Sequence, residues 1–380
     1  MMKFRFIFIL AFSLLGVASA QAQEASPLDV AAKQAILIDS ATGAVLFAKD
    51  ADSPMPTSSM SKMMTMYVVF DAIKTGKLKM DDTLLVSERA WKQEGSRMFL
   101  NVGERAKVED LIRGVIVQSG NDAAVVLAEA LGNGSESAFA DLMNAKAKEL
   151  GLKSSHFMNA TGLPDPQHYS TARDLATLAV ALQRDFPEYY HYFSELDFTY
   201  NGIKQGNRNP LLYRNMNVDG LKTGHTDDGG FGLTASAIRD GRRMVLVLNG
   251  MKDMQARADE SAKALDYGYR EFGLYPVAKS GDVMANPSVW LGQSKNVQIV
   301  AAQDAVITLP RAARSGLKAV VSFAEPIPAP VRKGDAVGEL TITAPGIEAK
   351  TIPLVASNDV EQLGFFSRVI EKLEVIFGKS

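Results

Sequence analysis

Apolar positions change their spacing several times along the chain, and those changes divide it. The stretch QAILIDSATGAVLFAKD alternates apolar and polar residues on either side of a Ser-Ala-Thr-Gly turn, which predicts an early β-hairpin. A denser apolar run follows and predicts a helix over Ser59–Lys74, with Gly76 as its stop. Short apolar runs interrupted by Gly95 and Gly103 read mostly as loop from Leu78 to Arg105. Leu111, Ile112, Val115 and Ile116 then recur at helical spacing. Further helices are predicted over Ala123–Leu131, over Ser135–Leu150 ending at Gly151, and over Thr171–Arg184 ending before Pro187. Period-two runs return at Asp197–Tyr200, at Val218–Lys222, and in GFGLTASAIRDGRRMVLVLNGM, where Asp240-Gly241 is a two-residue hairpin turn. Ala256–Phe272 reads as a closing helix. Strands at both ends with helices between them predict one α/β domain, residues 27–273, whose sheet gathers distant segments.

Helical spacing disappears near Gly273–Pro276. Short strands such as AVITLP, LKAVVSF, AVGELTIT and KTIPLV follow, separated by Gly and Pro turns, and predict a small all-β domain over 277–356. The tail, 360–380, differs from both. Leu363, Phe366, Ile370, Leu373 and Phe377 recur at steps of three and four, with Ser367, Arg368, Glu371, Lys372 and Glu374 opposite. Such a terminal helix can lie in a membrane interface, or dock on its own domain or a partner helix. Its acidic and basic residues nearly cancel, so membrane binding would rest on apolar burial rather than on anionic lipid. At the other end, Lys3 and Arg5 precede an apolar run to about Val17 and the small residues Ala18-Ser19-Ala20-Gln21-Ala22. This reads as a secretory signal peptide over 1–22.

Composition narrows the chemistry. A net charge of −2 gives no general pull toward nucleic acid. With no cysteine, disulfides, thiolate nucleophiles and zinc–thiolate sites are excluded. The four histidines lack HxxxH spacing, so no metal site is expected.

The helix start PTSSMSKMMTMYVVF raises a sharper question, because its serines could simply cap the helix. Only Ser59 has a lysine, Lys62, three residues ahead and therefore on the same face. A serine needs a base, and a lysine can be one only if its pKa is lowered, by the positive helix end or by a second cation. Ser-x-x-Lys alone is weak, since Ser315 and Lys318 repeat it. Ser119-Gly120-Asn121 between two helices and Lys222-Thr223-Gly224 at a strand end complete, in order, the set used by β-lactamases and penicillin-binding proteins. Lys74-Thr75-Gly76 matches the last motif too, but reads as a helix terminus.

With these motifs, and with LIRGVIVQSGNDA, STARDLA, NGIKQGNRN and VDGLKTGHTD, the chain resembles the low-molecular-weight penicillin-binding proteins that are serine D-alanyl-D-alanine carboxypeptidases (peptidase S11). The resemblance implies a β-lactamase/transpeptidase-like α/β fold, an antiparallel sheet flanked by helices, with a C-terminal all-β domain. It implies a peptidoglycan stem peptide ending in D-Ala-D-Ala as substrate, acylation by β-lactam antibiotics, no cofactor, and a place on the periplasmic side of the cytoplasmic membrane, held through the C-terminal helix. Residue by residue, it makes Ser59 the nucleophile, Lys62 its base, and Ser119 the relay toward the leaving amine. The oxyanion would meet the backbone N–H groups of Ser59 and His225. Asn121 would hold the substrate backbone, Lys222 and Arg208 its carboxylate, and Thr223 and His225 would flank the binding edge.

Alternatives are a β-lactamase, a peptidoglycan DD-endopeptidase, and a non-catalytic wall-binding scaffold. The first needs a carboxylate for deacylation, typically in Glu-x-x-x-Asn. The one such pattern, Glu129 to Asn133, lies too close behind Asn121.

Overall fold

The computed structural model describes residues 8–9 and 28–377, apart from the side chains of 8–9 and 374–377. Except for Phe8–Ile9, the leader expected over 1–22 lies outside the described residues, as do the last three residues of the tail. The chain divides into two compact units, one spanning Ser26–Arg270 and one that includes Glu271 onward.

In the first unit, β1 (Gln34–Asp39) and β2 (Val45–Lys49) form the early hairpin. The helices are α1 (Lys62–Lys74), α2 (Val108–Ile116), α3 (Asn121–Leu131), α4 (Glu136–Glu149) and α5 (Ala172–Asp185). Then come β3 (Val218–Thr226), β4 (Gly230–Arg239), β5 (Arg242–Met251) and α6 (Met254–Glu271). The five strands make one antiparallel sheet in the order β2-β1-β5-β4-β3. The β4–β5 turn places Asp240 and Gly241 both at positive φ, as a twisted two-residue hairpin requires. β3 ends the sheet, so one of its edges stays open to other groups.

Neighbouring strand residues point to opposite faces, and this sorts the layers. Ile36, Val245 and Val247 belong to the large core with α1 and α5. Their neighbours Leu37 and Met244 instead press on Gly268 of α6, where a Cβ would come within 2.7 Å of both. The sheet is thus covered on both faces. α1 runs through the core with most of its residues buried, including Met63, Met64, Met66 and Phe70, and packs against α3, α4 and α5. That burial fixes the helix start, and with it Ser59, against a rigid surround.

Differences from the expected elements have local causes. The first turn of the predicted Ser59–Lys74 helix is a 3-10 turn, Ser58–Ser61, entered through Ser58 at φ 50°. The segment read as loop holds two three-residue strands, Thr83–Leu85 and Arg105–Lys107, too short to show alternation. β3 runs four residues beyond the expected Lys222, because pairing with β4 carries it through His225 and Thr226.

The second unit is all-β before its terminal helix. Strands Lys318–Phe323, Ala336–Thr343, Lys350–Ala356, Ile299–Ala301 and Val283–Ala285 lie side by side in that order, with Phe8–Ile9 paired at the first edge. Phe272–Ala278 pairs with Ala305–Pro310. Leu309, Leu340, Ile342, Ile352 and Leu354 fill a core of their own. The Leu363 N–H donates to the Leu291 carbonyl at 2.8 Å, and α7 (Phe365–Phe377) follows with Phe365, Phe366, Val369, Ile370 and Leu373 exposed. No helix among the described residues is long and apolar enough to cross a membrane.

Candidate active site

The three serines at the start of α1 have three different partners. Ser58 Oγ donates to Thr226 Oγ1 at 3.0 Å, tying the turn to the end of β3. Ser61 Oγ is buried between Thr57 Oγ1 at 2.5 Å and His168 Nε2 at 2.7 Å. Ser59 alone meets Lys62, whose Nζ lies 3.0 Å from Ser59 Oγ. The other contacts of Lys62 are Asn121 Oδ1 at 2.7 Å and the Thr161 carbonyl at 2.6 Å. A neutral amine has two hydrogens and one lone pair. With its hydrogens given to those two acceptors, the lone pair is left for the Ser59 hydroxyl.

Lys62 is fully buried, and its pKa falls to about 7, first through burial and second through the charge of Arg208. Asp122 and Glu136 oppose this in part. Arg208 is thus one cation that disfavours charge on Lys62, and the repulsion between Lys62 and Lys222 adds to it. Lys222, also buried, is pushed well below its ordinary pKa by burial, then by Lys62, Arg208 and Arg257. Lys222 Nζ has only a long contact, 3.4 Å, to the Thr223 carbonyl. Four cationic side chains thus crowd one place, and no carboxylate hydrogen-bonds to Ser59 or Lys62 among the described residues.

Each motif is held by its surroundings. Ser119, at φ 61° ahead of α3, is buried, and its Oγ has no hydrogen-bond partner among the described residues. Asn121 takes Lys62 on its oxygen and donates Nδ2 to the Glu94 carbonyl at 2.7 Å, so both ends of its amide are engaged within the protein. Gly224 lets β3 approach the turn closely, since a Cβ there would stand 2.7 Å from the Thr57 carbonyl. Thr223 is buried, and exposed His225 stacks on Phe231 at 3.9 Å between ring centroids. Arg208 sits between two anchored residues: Asn207 Nδ2 donates to the Glu195 carbonyl at 2.9 Å and Asn209 Nδ2 to the Gly220 carbonyl at 2.8 Å. The Arg208 guanidinium donates to Ser96 Oγ. The look-alike pair Ser315 and Lys318 falls in the second unit, on a 3-10 turn and a strand.

Several contributors carry no motif. The Thr161 carbonyl is aimed by Asn159, whose Oδ1 accepts from the N–H groups of Thr161 at 3.2 Å and Gly162 at 2.7 Å. Buried Glu136 accepts from Ala160 N–H at 3.1 Å and holds Arg89 at 2.6 Å. Asp122 accepts from Met98 N–H at 2.9 Å and Leu100 N–H at 3.2 Å, fixing the loop before Phe99. Arg257 of α6 is buried, lies 5.7 Å from the Phe231 ring centre, and has its pKa lowered to about 10 by burial and Arg208. The Met158 N–H donates to His168 Nδ1 at 3.2 Å, so the ring is protonated on Nε2 and donates to Ser61. An Asn-x-x-Gly turn was visible at Asn159–Gly162; for Arg257 and His168 the sequence carried no signal.

Known proteins place this geometry in context. Residues 20–253 match the family profile of D-alanyl-D-alanine carboxypeptidase, peptidase S11, and residues 272–362 match the C-terminal domain of penicillin-binding protein 5. The chain is 40% identical to the D-alanyl-D-alanine carboxypeptidase DacC of Escherichia coli strain K12 over 95% of its own length and 92% of that protein's. It is 37% identical to DacA of Haemophilus influenzae, over 95% of this chain and 94% of that one. Among solved structures, penicillin-binding protein 5 from Haemophilus influenzae superimposes with a TM-score of 0.82 at 38% identity, covering 89% of this chain and all (100%) of that one. Penicillin-binding protein 6B from Escherichia coli gives 0.73 at 35%, over 88% and 98%. The expected fold class, α/β followed by all-β, agrees with these matches. The chain belongs to the peptidase S11 family of D-alanyl-D-alanine carboxypeptidases, serine hydrolases of the penicillin-binding class.

Proposed function

We propose that Ser59 is the nucleophile of this D-alanyl-D-alanine carboxypeptidase and Lys62 its general base, acting on the penultimate carbonyl of a peptidoglycan stem peptide. The observation that carries the assignment is the partnering of Lys62, whose other two contacts are acceptors and whose remaining direction is Ser59 Oγ. Ser59 Oγ attacks the carbonyl carbon while its proton passes to Lys62 Nζ. Negative charge builds on the carbonyl oxygen, met by the backbone N–H groups of Ser59 and His225. The C–N bond then breaks. The departing amine of D-Ala takes a proton from Lys62 through Ser119 Oγ, a hydroxyl that can accept and donate together and is not otherwise engaged. The same base activates water to hydrolyse the ester.

Lys222 and Arg208 anchor the substrate carboxylate, since a buried carboxylate needs a partner and the crowded cations need a counter-charge. Thr223 and His225 border the open edge of β3, against which the peptide backbone lies. Asn121 contributes by orienting Lys62, and reaches the substrate only by releasing the Glu94 carbonyl. β-Lactams acylate the same serine.

The leader over 1–22 exports the protein, leaving a catalytic domain (27–273) and a β domain (277–356), and the tail over 360–380 holds it peripherally on the periplasmic side of the cytoplasmic membrane. The exposed apolar side chains of α7 support that placement. A direct test is labelling with fluorescent penicillin together with D-Ala release from a D-Ala-D-Ala pentapeptide. Ser59→Ala loses both by at least about a thousandfold, the scale of removing an activated nucleophile. Retention of the covalent adduct in that variant overturns the assignment.

A further inference from the structure

His168 is buried in the first unit, and none of the chemistry above uses it. Its N–H donates to the Asp165 carbonyl at 2.9 Å, and the next two residues are fixed in pairs. Tyr169 exchanges backbone hydrogen bonds with His156 at 2.8 and 3.0 Å, and Ser170 does so with Met55 at 2.8 and 3.2 Å. The ring stands edge-on to Phe157, 5.6 Å between centroids, and meets two polar groups of opposite kind. Nδ1 accepts from Met158 N–H, and Nε2 donates to Ser61 Oγ. That leaves the Ser61 proton for Thr57 Oγ1, so one directed chain of hydrogen bonds runs from Met158 through His168 and Ser61 to Thr57.

The chain ends on the turn that presents Ser59. The Thr57 carbonyl accepts from Met60 N–H at 3.0 Å and closes that turn, and Ser61 lies between Ser59 and Lys62 in sequence. At its start the turn is tied to β3 through Ser58 and Thr226. Ser58 holds φ 50°, an uncommon conformation for a residue other than glycine, which persists only where the surroundings impose it. Without the His168 bond, Ser61 Oγ keeps only its contact with Thr57, inside the same turn. We propose that His168 is a positioning residue for acylation: through Ser61 it fixes the end of the Thr57–Lys62 turn, as Thr226 fixes its start, and so holds Ser59 Oγ against Lys62 Nζ. The role needs one acceptor and one donor on a single side chain. Neutral imidazole supplies both, whereas imidazolium would set a second donor against Met158 N–H. Of the charged and titratable groups that face the ring, Asp165 favours its protonation, while His156 and Lys62 oppose it; burial is the largest influence and also opposes it. This inference rests on the roles proposed for Ser59 and Lys62.

The test follows acylation by fluorescent penicillin and D-Ala release from a D-Ala-D-Ala pentapeptide, at a pH above the Lys62 midpoint. It uses the full chain, His168→Leu, His168→Gln, Ser61→Ala, and the double variant Ser61→Ala, His168→Leu. Rates are taken per folded molecule, with the folded fraction read by circular dichroism, so lost stability alone leaves them unchanged. His168→Leu should lower the acylation rate and kcat by roughly ten- to a hundredfold, the scale of a misplacement of about 1 Å at a reacting pair, with KM held within about twofold. Ser61→Ala should lose as much, and the double variant little more than either, because all three remove one contact. His168→Gln keeps a donor and an acceptor and should hold the rate within roughly threefold of the unaltered protein. Unaltered acylation in folded His168→Leu, His168→Gln as slow as His168→Leu, or losses that multiply in the double variant overturns the positioning role and leaves the Ser59 assignment intact. Ser61→Ala is the smaller change, and an unaltered rate in it overturns the role even where His168→Leu does not fold. Labelling of the unaltered protein that persists in Ser59→Ala overturns the nucleophile assignment, and this one with it.

Discussion

The acid limb of Ser59 acylation tests the electrostatics of the site most directly. Lys62 must lose a proton to act as a base, and its pKa lies near 7 instead of the ordinary lysine value of 10.5. That shift corresponds to about 5 kcal/mol against the charged amine, an order-of-magnitude figure for a fully buried group. At pH 7 roughly half of the molecules then hold a free base, whereas an unshifted lysine would supply roughly one in three thousand. The second-order rate of acylation by fluorescent penicillin should rise from pH 5 to 8 with a midpoint near 7, and at pH 5 should be roughly a hundredfold below its plateau. Two substitutions must move the midpoint in opposite directions. Arg208→Gln removes a cation that disfavours charge on Lys62, so the limb moves to higher pH. Glu136→Gln removes a carboxylate that favours it, while keeping an acceptor for Ala160 N–H, so the limb moves to lower pH. Arg208→Gln also lowers the plateau through the ligand carboxylate, but the midpoint is read independently of it. A midpoint above about 9 in the unaltered protein, or a common direction of shift in the two variants, would refute the reasoning.

Two further outcomes follow from the geometry. His168 is buried neutral with its pKa near 4, against an ordinary 6.5, so above pH 6.5 neither the folded nor the unfolded chain protonates it. As pH falls from 6.5 to 4 the unfolded chain binds the proton first, and about 3 kcal/mol of stability is lost. His168→Gln, which can still donate to Ser61 and accept from Met158, should show a correspondingly flatter dependence in denaturant titrations; identical slopes would exclude His168 as the source. For the tail, truncation after Gly364 keeps the Leu363 bond to Leu291 and removes α7; the exported protein should then move from the membrane fraction to the soluble one, and an unchanged distribution would end the anchor reading.

Side-chain identity and spacing were legible, and they located the chemistry that depends on them. The i, i+3 relation singled out Ser59 from Ser58 and Ser61, and the structure gives each of the others a separate partner. The Asp240-Gly241 turn and the helices from Val108 to Asp185 were readable because local sterics and one-sided burial fix them. The hairpin of Thr83–Leu85 with Arg105–Lys107 was not, because three residues show no period and the pairing closes a long loop. The Thr161 carbonyl was equally hidden, since any residue can supply a carbonyl and only the fold aims it.

Burial was the larger omission, and it decides the mechanism. From the motifs, a helix dipole and a second cation were the available reasons for a reactive lysine. The structure ranks removal from water first and Arg208 second, and Lys62 and Lys222 repel each other's charge. The two lysines therefore resist each other's protonation, and a loop arginine more than a hundred residues away in the chain adds to the burial that deprotonates the proposed base. Arg208 gains that position from Asn207 and Asn209, each tied to a backbone carbonyl. A cation proposed to receive the substrate carboxylate thus also tunes the base. Its replacement should alter substrate anchoring and the acid limb together, a coupling that no single motif could have revealed.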